Sequence, residues 1–282
     1  MIREATDFLD TRGIEHPRLN AERLLAHVMN TTRIDLYLQF EKPVQIHERE
    51  HYKNLLRRRA DHEPLQYILG ETEFMSIPFQ LTHEVLIPRP ETELLVEKTI
   101  EIAESQFRTK PTIQILDIGT GSGCIAIALA KQLENARILA ADSNPAALEV
   151  AKKNAGIHNV SDRIEWTKMD VLSQSHNPGT MKFDLIVSNP PYIPEDLLWT
   201  LAPEIKNFEP LEALRGGKDG LLFYHQFSRS FPQWINSPGN ALLEIGEDQA
   251  SAIQKIFGNE FWISREIFQD LAGKDRLVVL SH

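Results

Sequence analysis

The sequence predicts an α/β chain: an open, largely parallel sheet with helices on both faces, preceded by a small helical bundle. Three observations predict it. From Ile113 onward, short apolar runs alternate with helical stretches. A glycine-rich turn joins the first of those runs to its helix. The first seventy or so residues instead carry helix-period apolar faces separated by breakers.

The helical part comes first. Ile2, Ala5, Phe8 and Leu9 share one helix face, as do Leu24, Leu25 and Val28, and then Tyr52, Leu55 and Leu56. Gly13 and Pro17, Asn30 to Thr32, Pro43, Pro64 and Gly70 separate them. The run Arg57, Arg58, Arg59 reads as a solvated helix face rather than a nucleic-acid footprint. From about Phe74 the pattern alternates through Ile77, Phe79, Leu81, Val85 and Leu86, as in a hairpin. Pro88, Arg89 and Pro90 stiffen a turn, and Glu91, Thr92 and Glu93 open a helix with acids at its positive end. The expected organisation is therefore a helical substrate-recognition domain at 1–72, a hairpin linker at 73–92 and a catalytic domain at 93–282.

Strands are expected at 113–118, 137–141, 164–168, 183–188 and 241–245, with helices at 124–133 and 145–155 between the first three. Residues 261–267 and 276–280 form a closing pair. Their short connection makes one of them antiparallel.

Composition narrows the function classes. The chain has 282 residues, a net charge of −10 and one cysteine, Cys124. The acidic total argues against binding phosphate backbones, and a single cysteine excludes a disulfide framework or a cysteine zinc site. The ten histidines show no metal-ligand spacing, so no metal is expected. No apolar run is long enough to span a bilayer, and the first residues lack a signal-peptide core, so a cytoplasmic protein is expected. Trp166, Trp199, Trp234 and Trp262 read as core or cleft-wall residues, and Cys124 as packing behind the glycine turn.

That turn is Gly119, Thr120, Gly121, Ser122, Gly123. Glycines there let a ligand approach the backbone. The spacing is not that of a phosphate-binding P-loop, because Cys124 stands where lysine is needed. It also differs from the usual dinucleotide loop. Asp142 ends the second strand, where a carboxylate can accept both ribose hydroxyls of an adenosine or else cap the following helix. An NAD protein would also place an acid there.

The sharpest signal ends the fourth strand: Asn189, Pro190, Pro191, Tyr192. Ligands of such sheets bind beyond the carboxyl ends of the strands. Asn189 offers a side-chain carbonyl and Pro190 a free backbone carbonyl, both pre-aimed by the stiff prolines. Tyr192 offers a flat face. Two acceptors and a face suit a planar –NH2, whose delocalised lone pair makes it a poor nucleophile until it is aligned.

Together these motifs closely resemble the release-factor glutamine methyltransferase family, the PrmC/HemK type. The resemblance runs nearly end to end. It includes Pro64 to Glu71, Leu86 to Glu93, Ile115 to Gly123 and Ser188 to Tyr192. Later matches are Glu209-Pro210, Gly216-Gly217, Asp219-Gly220, Glu244 to Gly246 and Asp270 to Arg276. The tetrapeptide alone is shared with adenine-N6 and cytosine-N4 methyltransferases, whereas Ile-Pro-Arg-Pro-Glu-Thr-Glu is much more specific.

The resemblance implies a seven-stranded Rossmann-like class I methyltransferase sheet and S-adenosyl-L-methionine as cofactor. It implies methylation of the N5 amide of the glutamine in the Gly-Gly-Gln motif of peptide-chain release factors, which are the expected partners. Gly119 to Gly123, Asp142, Val171 and Asn189 would hold the cofactor. Some relatives carry an aromatic at the place of Val171, and Ser143-Asn144-Pro145 matches the family's turn loosely. The alternatives are an amino-methyltransferase acting on nucleic acid, one acting on a ribosomal-protein glutamine, and a cofactor-binding scaffold without catalysis.

Overall fold

The computed structural model describes residues 1–173 and 181–282, and the chain divides into two compact units. One comprises Met1–Glu71 together with Leu201–Phe208; the other comprises Thr72–Thr200 and Glu209–His282.

The helical unit contains α1 (Ile2–Asp10), α2 (Pro17–Val28), α3 (Arg33–Leu38), α4 (Ile46–Ala60) and α5 (Leu65–Leu69). Pro17 starts α2, where its missing N–H costs nothing. Thr32 and Asp35 form a reciprocal capping box on α3. The core gathers the expected faces: Ala5 and Leu9 meet Leu24, Leu25, Tyr52, Leu55 and Leu56. Truncating such a buried leucine to alanine typically costs about 2–5 kcal/mol.

In the arginine run, Arg57 and Arg58 are exposed as on a solvated helix face, and Arg59 is not. Arg58 pairs with Glu63 at 2.5 Å, and Arg59 is buried. Arg59 reaches Asn20 Oδ1 at 2.8 Å, the Glu63 carbonyl at 3.0 Å and Glu204 at 3.1 Å. A guanidinium carries five donors, and burial here is affordable because three acceptors meet them.

The larger unit opens with the hairpin β1 (Glu71–Phe74) and β2 (Ile77–Gln80). It is shorter than the alternation suggested. Leu81, Val85 and Ile87 are buried, but as irregular chain. Next come α6 (Glu93–Gln106), β3 (Ile113–Ile118), α7 (Cys124–Gln132), β4 (Ala136–Asp142), α8 (Pro145–Ile157), β5 (Ile164–Lys168) and β6 (Phe183–Ser188). The chain continues through α9 (Pro203–Phe208), α10 (Leu222–Trp234), β7 (Ile235–Glu244), α11 (Ala250–Ile256), β8 (Ser264–Gln269) and β9 (Asp275–Ser281).

The seven-stranded sheet has the order β5-β4-β3-β6-β7-β9-β8. Its first five members run parallel, and β9 is antiparallel to both β7 and β8. From β3 the chain works outward through β4 and β5, then crosses to the other side of β3 with β6. That reversal is a topological switch point, and ligands of such sheets usually bind beyond the carboxyl strand ends there, here those of β3 and β6.

Alternate residues build the two faces. Ile115, Leu185, Val187 and Leu242 pack with α6, α7 and α8, whereas Leu116, Ile186, Leu243 and Val278 pack with α10 and α11. On the second face the Phe227 and Phe231 rings stack at 4.8 Å. Trp262 and Trp234 are buried, but Trp199 is 75% exposed and so is not a core residue. β8 begins at Ser264 rather than at Phe261, whose ring stacks on His282 at 3.9 Å. No helix among the described residues is long and apolar enough to cross a membrane.

Candidate active site

Three strand ends bring the expected residues together. Ile118 on β3 is in register with Ala141 on β4 and with Ser188 on β6. The glycine turn, Asp142 and Asn189 therefore leave the sheet side by side. Ser188 Oγ donates to the Ile118 carbonyl at 2.7 Å, tying the two central tips together.

The turn is held from below. Gly119 and Thr120 both donate their N–H to the Ala141 carbonyl, at 2.8 and 3.0 Å. Gly123 caps α7 in a left-handed conformation, and a Cβ there would press on Ala151 Cβ at 3.0 Å. Ser122 is buried. Asp142 Oδ2 accepts the Gly121 N–H at 2.9 Å and Oδ1 accepts the Asn144 N–H at 2.9 Å. The cap of α8 is Asn144, whose side chain takes the Ala146 N–H. Asp142 thus shapes the turn, and a carboxylate with about four acceptor sites keeps others for a ligand. Burial raises its pKa, against the pull of the Asn144, Gly121 and Ser143 backbone bonds. Val171 is buried beside Leu116, Ile118 and Met169.

Asp117, one residue before the end of β3, is a further polar group at the site, and its signal in the sequence is a carboxylate inside an apolar strand. Its Oδ2 accepts from Thr120 Oγ1 at 2.6 Å, and its Oδ1 is buried without a hydrogen-bond partner among the described residues. Burial pushes it up to about 7, opposed by the Thr120 bond and aided by the nearby charge of Asp142.

The tetrapeptide lies beyond β6. Asn189 Nδ2 donates to Thr92 Oγ1 at 3.0 Å, and Thr92 Oγ1 donates to Glu244 Oε2 at 2.7 Å. Asn189 Oδ1 has no partner among the described residues. The Tyr192 hydroxyl donates to Glu244 Oε1 at 3.4 Å. Its phenol is pushed up to about 12 by burial and by the Glu244 charge, so it stays protonated at neutral pH. Pro190 and Pro191 stiffen the link between Asn189 and Tyr192.

The backbone of Tyr192 is clamped. Gln249 Nε2 donates to its carbonyl at 3.0 Å and to that of Gly220 at 3.2 Å. Gly216 leaves room for it: a Cβ at that position would lie 2.7 Å from the Tyr192 carbonyl carbon. Gly216 and Gly220 belong to the late motifs, but nothing in a single sequence says which backbone they approach. Nearby, Arg89 pairs with buried Glu209 at 2.6 Å.

The donor set fits an adenosine-bearing cofactor. Asp142 ends β4 against the glycine turn, an unpartnered Asp117 oxygen lies at that turn, and a Cβ on Gly121 would meet open space. A separate cavity of about 800 Å³ in the helical unit, lined in part by Phe8, Phe40, Val44 and Tyr52, holds none of these residues.

Comparison with known proteins agrees with the geometry. The PrmC N-terminal domain family matches residues 1–70, and the methyltransferase small domain family matches residues 93–198. A release factor glutamine methyltransferase of Geobacter sulfurreducens is 40% identical over 96% of this chain and 92% of its own length. Another, of Chlorobaculum tepidum, is 40% identical over 98% of this chain and 94% of its own. Among solved structures, the hMettl16 catalytic domain in complex with MAT2A 3'UTR hairpin 6 has a TM-score of 0.58. At 18% identity, over 81% of this chain and 82% of that one, it shares the fold alone. On identity of this extent along nearly the whole chain, the protein belongs to the release factor glutamine methyltransferase family.

Proposed function

We propose that this chain transfers a methyl group from S-adenosyl-L-methionine to the side-chain amide N5 of the glutamine in the Gly-Gly-Gln motif of peptide-chain release factors. The observation that carries the reading is Asn189. Its amide nitrogen donates to Thr92, which leaves its carbonyl oxygen as an acceptor, on a residue whose backbone lies against the glycine turn. When bound, the cofactor supplies an electrophilic sulfonium methyl.

The chain's own residues hold and aim. Asp142 would accept the ribose hydroxyls, and the backbone from Gly119 to Gly123 would lie against the cofactor. Val171 would border the adenine. Asn189 Oδ1 and the Pro190 carbonyl accept the two amide hydrogens of the glutamine, and Tyr192 supports its plane. A carboxamide nitrogen is planar because its lone pair is shared with the carbonyl. Two accepted hydrogens return density to nitrogen and direct the lone pair along the line of transfer. The nitrogen so aligned would take the methyl, the cofactor would leave as a neutral thioether, and the surplus proton on nitrogen would pass to water. No strong base is required, and both acceptors are neutral.

The helical unit, residues 1–72 in the sequence reading, is the part assigned to gripping the release factor. It carries a core of its own and none of the transfer residues. The working place of such an enzyme is with the translation machinery in the cytoplasm. The test is intact and peptide mass analysis of a release factor incubated with enzyme and cofactor. One methyl on the Gly-Gly-Gln glutamine supports the reading. Methyl found only on another residue, or on nucleic acid or a ribosomal protein instead, overturns it.

A further inference from the structure

A side-chain amide looks nearly the same either way round, yet its two ends do opposite things. Facing a substrate –NH2, the oxygen of Asn189 accepts and the nitrogen of a flipped Asn189 would collide donor against donor. Something must choose. Neither the tetrapeptide nor the cofactor turn supplies that choice, but two buried residues behind Asn189 do.

Thr92 ends the turn Pro90–Thr92 ahead of α6, and Glu244 ends β7. Each is 2% exposed. An ionised carboxylate only accepts, so the single hydroxyl proton of Thr92 is drawn to Glu244 Oε2 at 2.7 Å. Thr92 Oγ1 then has only lone pairs to offer Asn189, and only the –NH2 end of the amide can use them, at 3.0 Å. The carbonyl end is thereby turned the other way. Glu244 is itself fixed: the Tyr192 hydroxyl donates to its Oε1, and the Tyr224 hydroxyl donates to its backbone carbonyl at 2.7 Å.

We propose that Thr92 and Glu244 form a hydrogen-bond relay that sets which end of the Asn189 amide meets the substrate, and are positioning residues for methyl transfer. The proposal rests on the reading of Asn189 as the acceptor of a substrate N–H.

The relay has a polarity that protonation reverses. A neutral Glu244 can donate to Thr92 Oγ1. The freed Thr92 hydroxyl then donates to the carbonyl end of Asn189, which turns over. The groups facing Glu244 are Thr92, Tyr192, Tyr224, Arg276, Glu91 and Cys124. Burial raises Glu244 to about 7; the Thr92 bond, Arg276 and Tyr192 oppose the rise, and Glu91 adds to it. The ionised, correctly oriented form therefore grows in as pH rises through neutrality.

Single-turnover transfer to an intact release factor, at saturating cofactor, tests this. Thr92→Val keeps the shape and loses the hydroxyl; it is expected to slow transfer about ten- to a hundredfold, as for small misplacements of aimed groups. Thr92→Ser should recover most of the rate. In an Asn189→Ala background, Thr92→Val should cost less than about twofold, because a residue acting only through Asn189 has nothing left to orient. The wild-type rate should fall on the acid side of neutrality, and Glu244→Gln should be slower and lack that limb. Thermal melts establish that each variant is folded.

Three results would overturn the relay: Thr92→Val at the wild-type rate, a full further loss in the Asn189→Ala background, or an acid limb that survives in Glu244→Gln. If instead folded Asn189→Ala transferred at the wild-type rate, the reading of Asn189 would fall and the relay with it. A slow Asn189→Ala beside a fast Thr92→Val would sink the relay alone.

Discussion

Gly216→Ala adds one methyl group against the backbone of Tyr192, in the tetrapeptide proposed to hold the substrate amide. Gly216 has no left-handed φ, so the substitution brings no backbone strain of its own, only contact. Its Cβ would lie 2.7 Å from the Tyr192 carbonyl carbon, 2.8 Å from Tyr192 Cα and 2.8 Å from Gly220 Cα. Two carbons rest at about 3.5 Å or more, so Tyr192 must retreat by about 0.8 Å or the Gly216 loop must move away by as much. Neither yields easily. Gln249 holds the Tyr192 carbonyl, and the Gly216 N–H donates to the Ile193 carbonyl at 2.8 Å. Overpacking of this kind costs about 1–3 kcal/mol of stability. A shift approaching 1 Å at a positioned group costs up to about a hundredfold in rate. The assay is single-turnover methyl transfer to a release factor, with cofactor affinity from calorimetry and a thermal melt. The expected result is a ten- to hundredfold slower transfer with cofactor affinity within about threefold of wild type. A folded Gly216→Ala protein within threefold of the wild-type rate would refute the idea that this close approach aims the tetrapeptide.

Other perturbations follow from the same geometry. Asp142→Ala removes charge-assisted hydrogen bonds worth about 1.5–3 kcal/mol each, so calorimetry should show cofactor affinity falling at least tenfold, and unchanged affinity would reduce Asp142 to a shaper of the turn. Asp117 has a folded pKa raised to about 7, so its proton stabilises the cofactor-free fold at low pH, and that stability is lost as pH climbs from the carboxylate range to about 7. Asp117→Asn should remove on the order of 4 kcal/mol of that decline between about pH 4 and pH 8 in denaturant titrations; an unaltered pH slope would contradict it. Glu22 acts in the opposite sense: burial would raise it, but bonds from Tyr37, Arg33 and Arg18 hold it at about 2, so its contribution is present above the carboxylate range and lost as pH falls toward 2. Glu22→Gln should therefore flatten acid unfolding of the helical unit, and a melt that still loses the same stability below about pH 4 would argue against it. Deleting residues 1–72 should preserve cofactor binding and weaken methylation of an intact release factor more than that of a short Gly-Gly-Gln peptide; equal losses would assign the bundle to fold stability. That deletion also strips the Arg59 and His62 partners from Glu204, so an Arg59→Ala variant is the control for damage transmitted through α9.

Much of this molecule was legible in its residues. Strand–helix alternation from Ile113 gave the parallel sheet, because strands buried on both faces are written as nearly continuous apolar runs. The glycine turn, Asp142 and Asn189 mark the ends of three strands, and adjacent strand ends must share one edge of the sheet. Less legible were the pieces whose role depends on distant partners. The region between Tyr192 and Ala241 has no strong period, yet it contains α9, α10 and the Gly216–Gly220 loop that lies against Tyr192. The strand β7 begins at Ile235, earlier than its apolar stretch, because Asn236 to Gly239 carry turn residues within it. Arg59 looked solvated in a charged run, and only the fold brings Asn20 and Glu204 to it. Thr92 and Glu244 stood inside motifs whose meaning came from resemblance. Their connection spans 152 residues of chain and appears only when the hydroxyl proton is followed from one to the other.

The central claim is that Asn189 presents its carbonyl oxygen to the substrate amide and gains strength as nitrogen attacks. Single-turnover methyl transfer by Asn189→Ala, with circular dichroism to establish the fold and calorimetry to establish cofactor loading, tests it most directly. The account predicts a rate about 10²–10³ below wild type, the usual loss for one aimed group. A folded, cofactor-loaded Asn189→Ala enzyme that keeps more than about a tenth of the wild-type rate would contradict it.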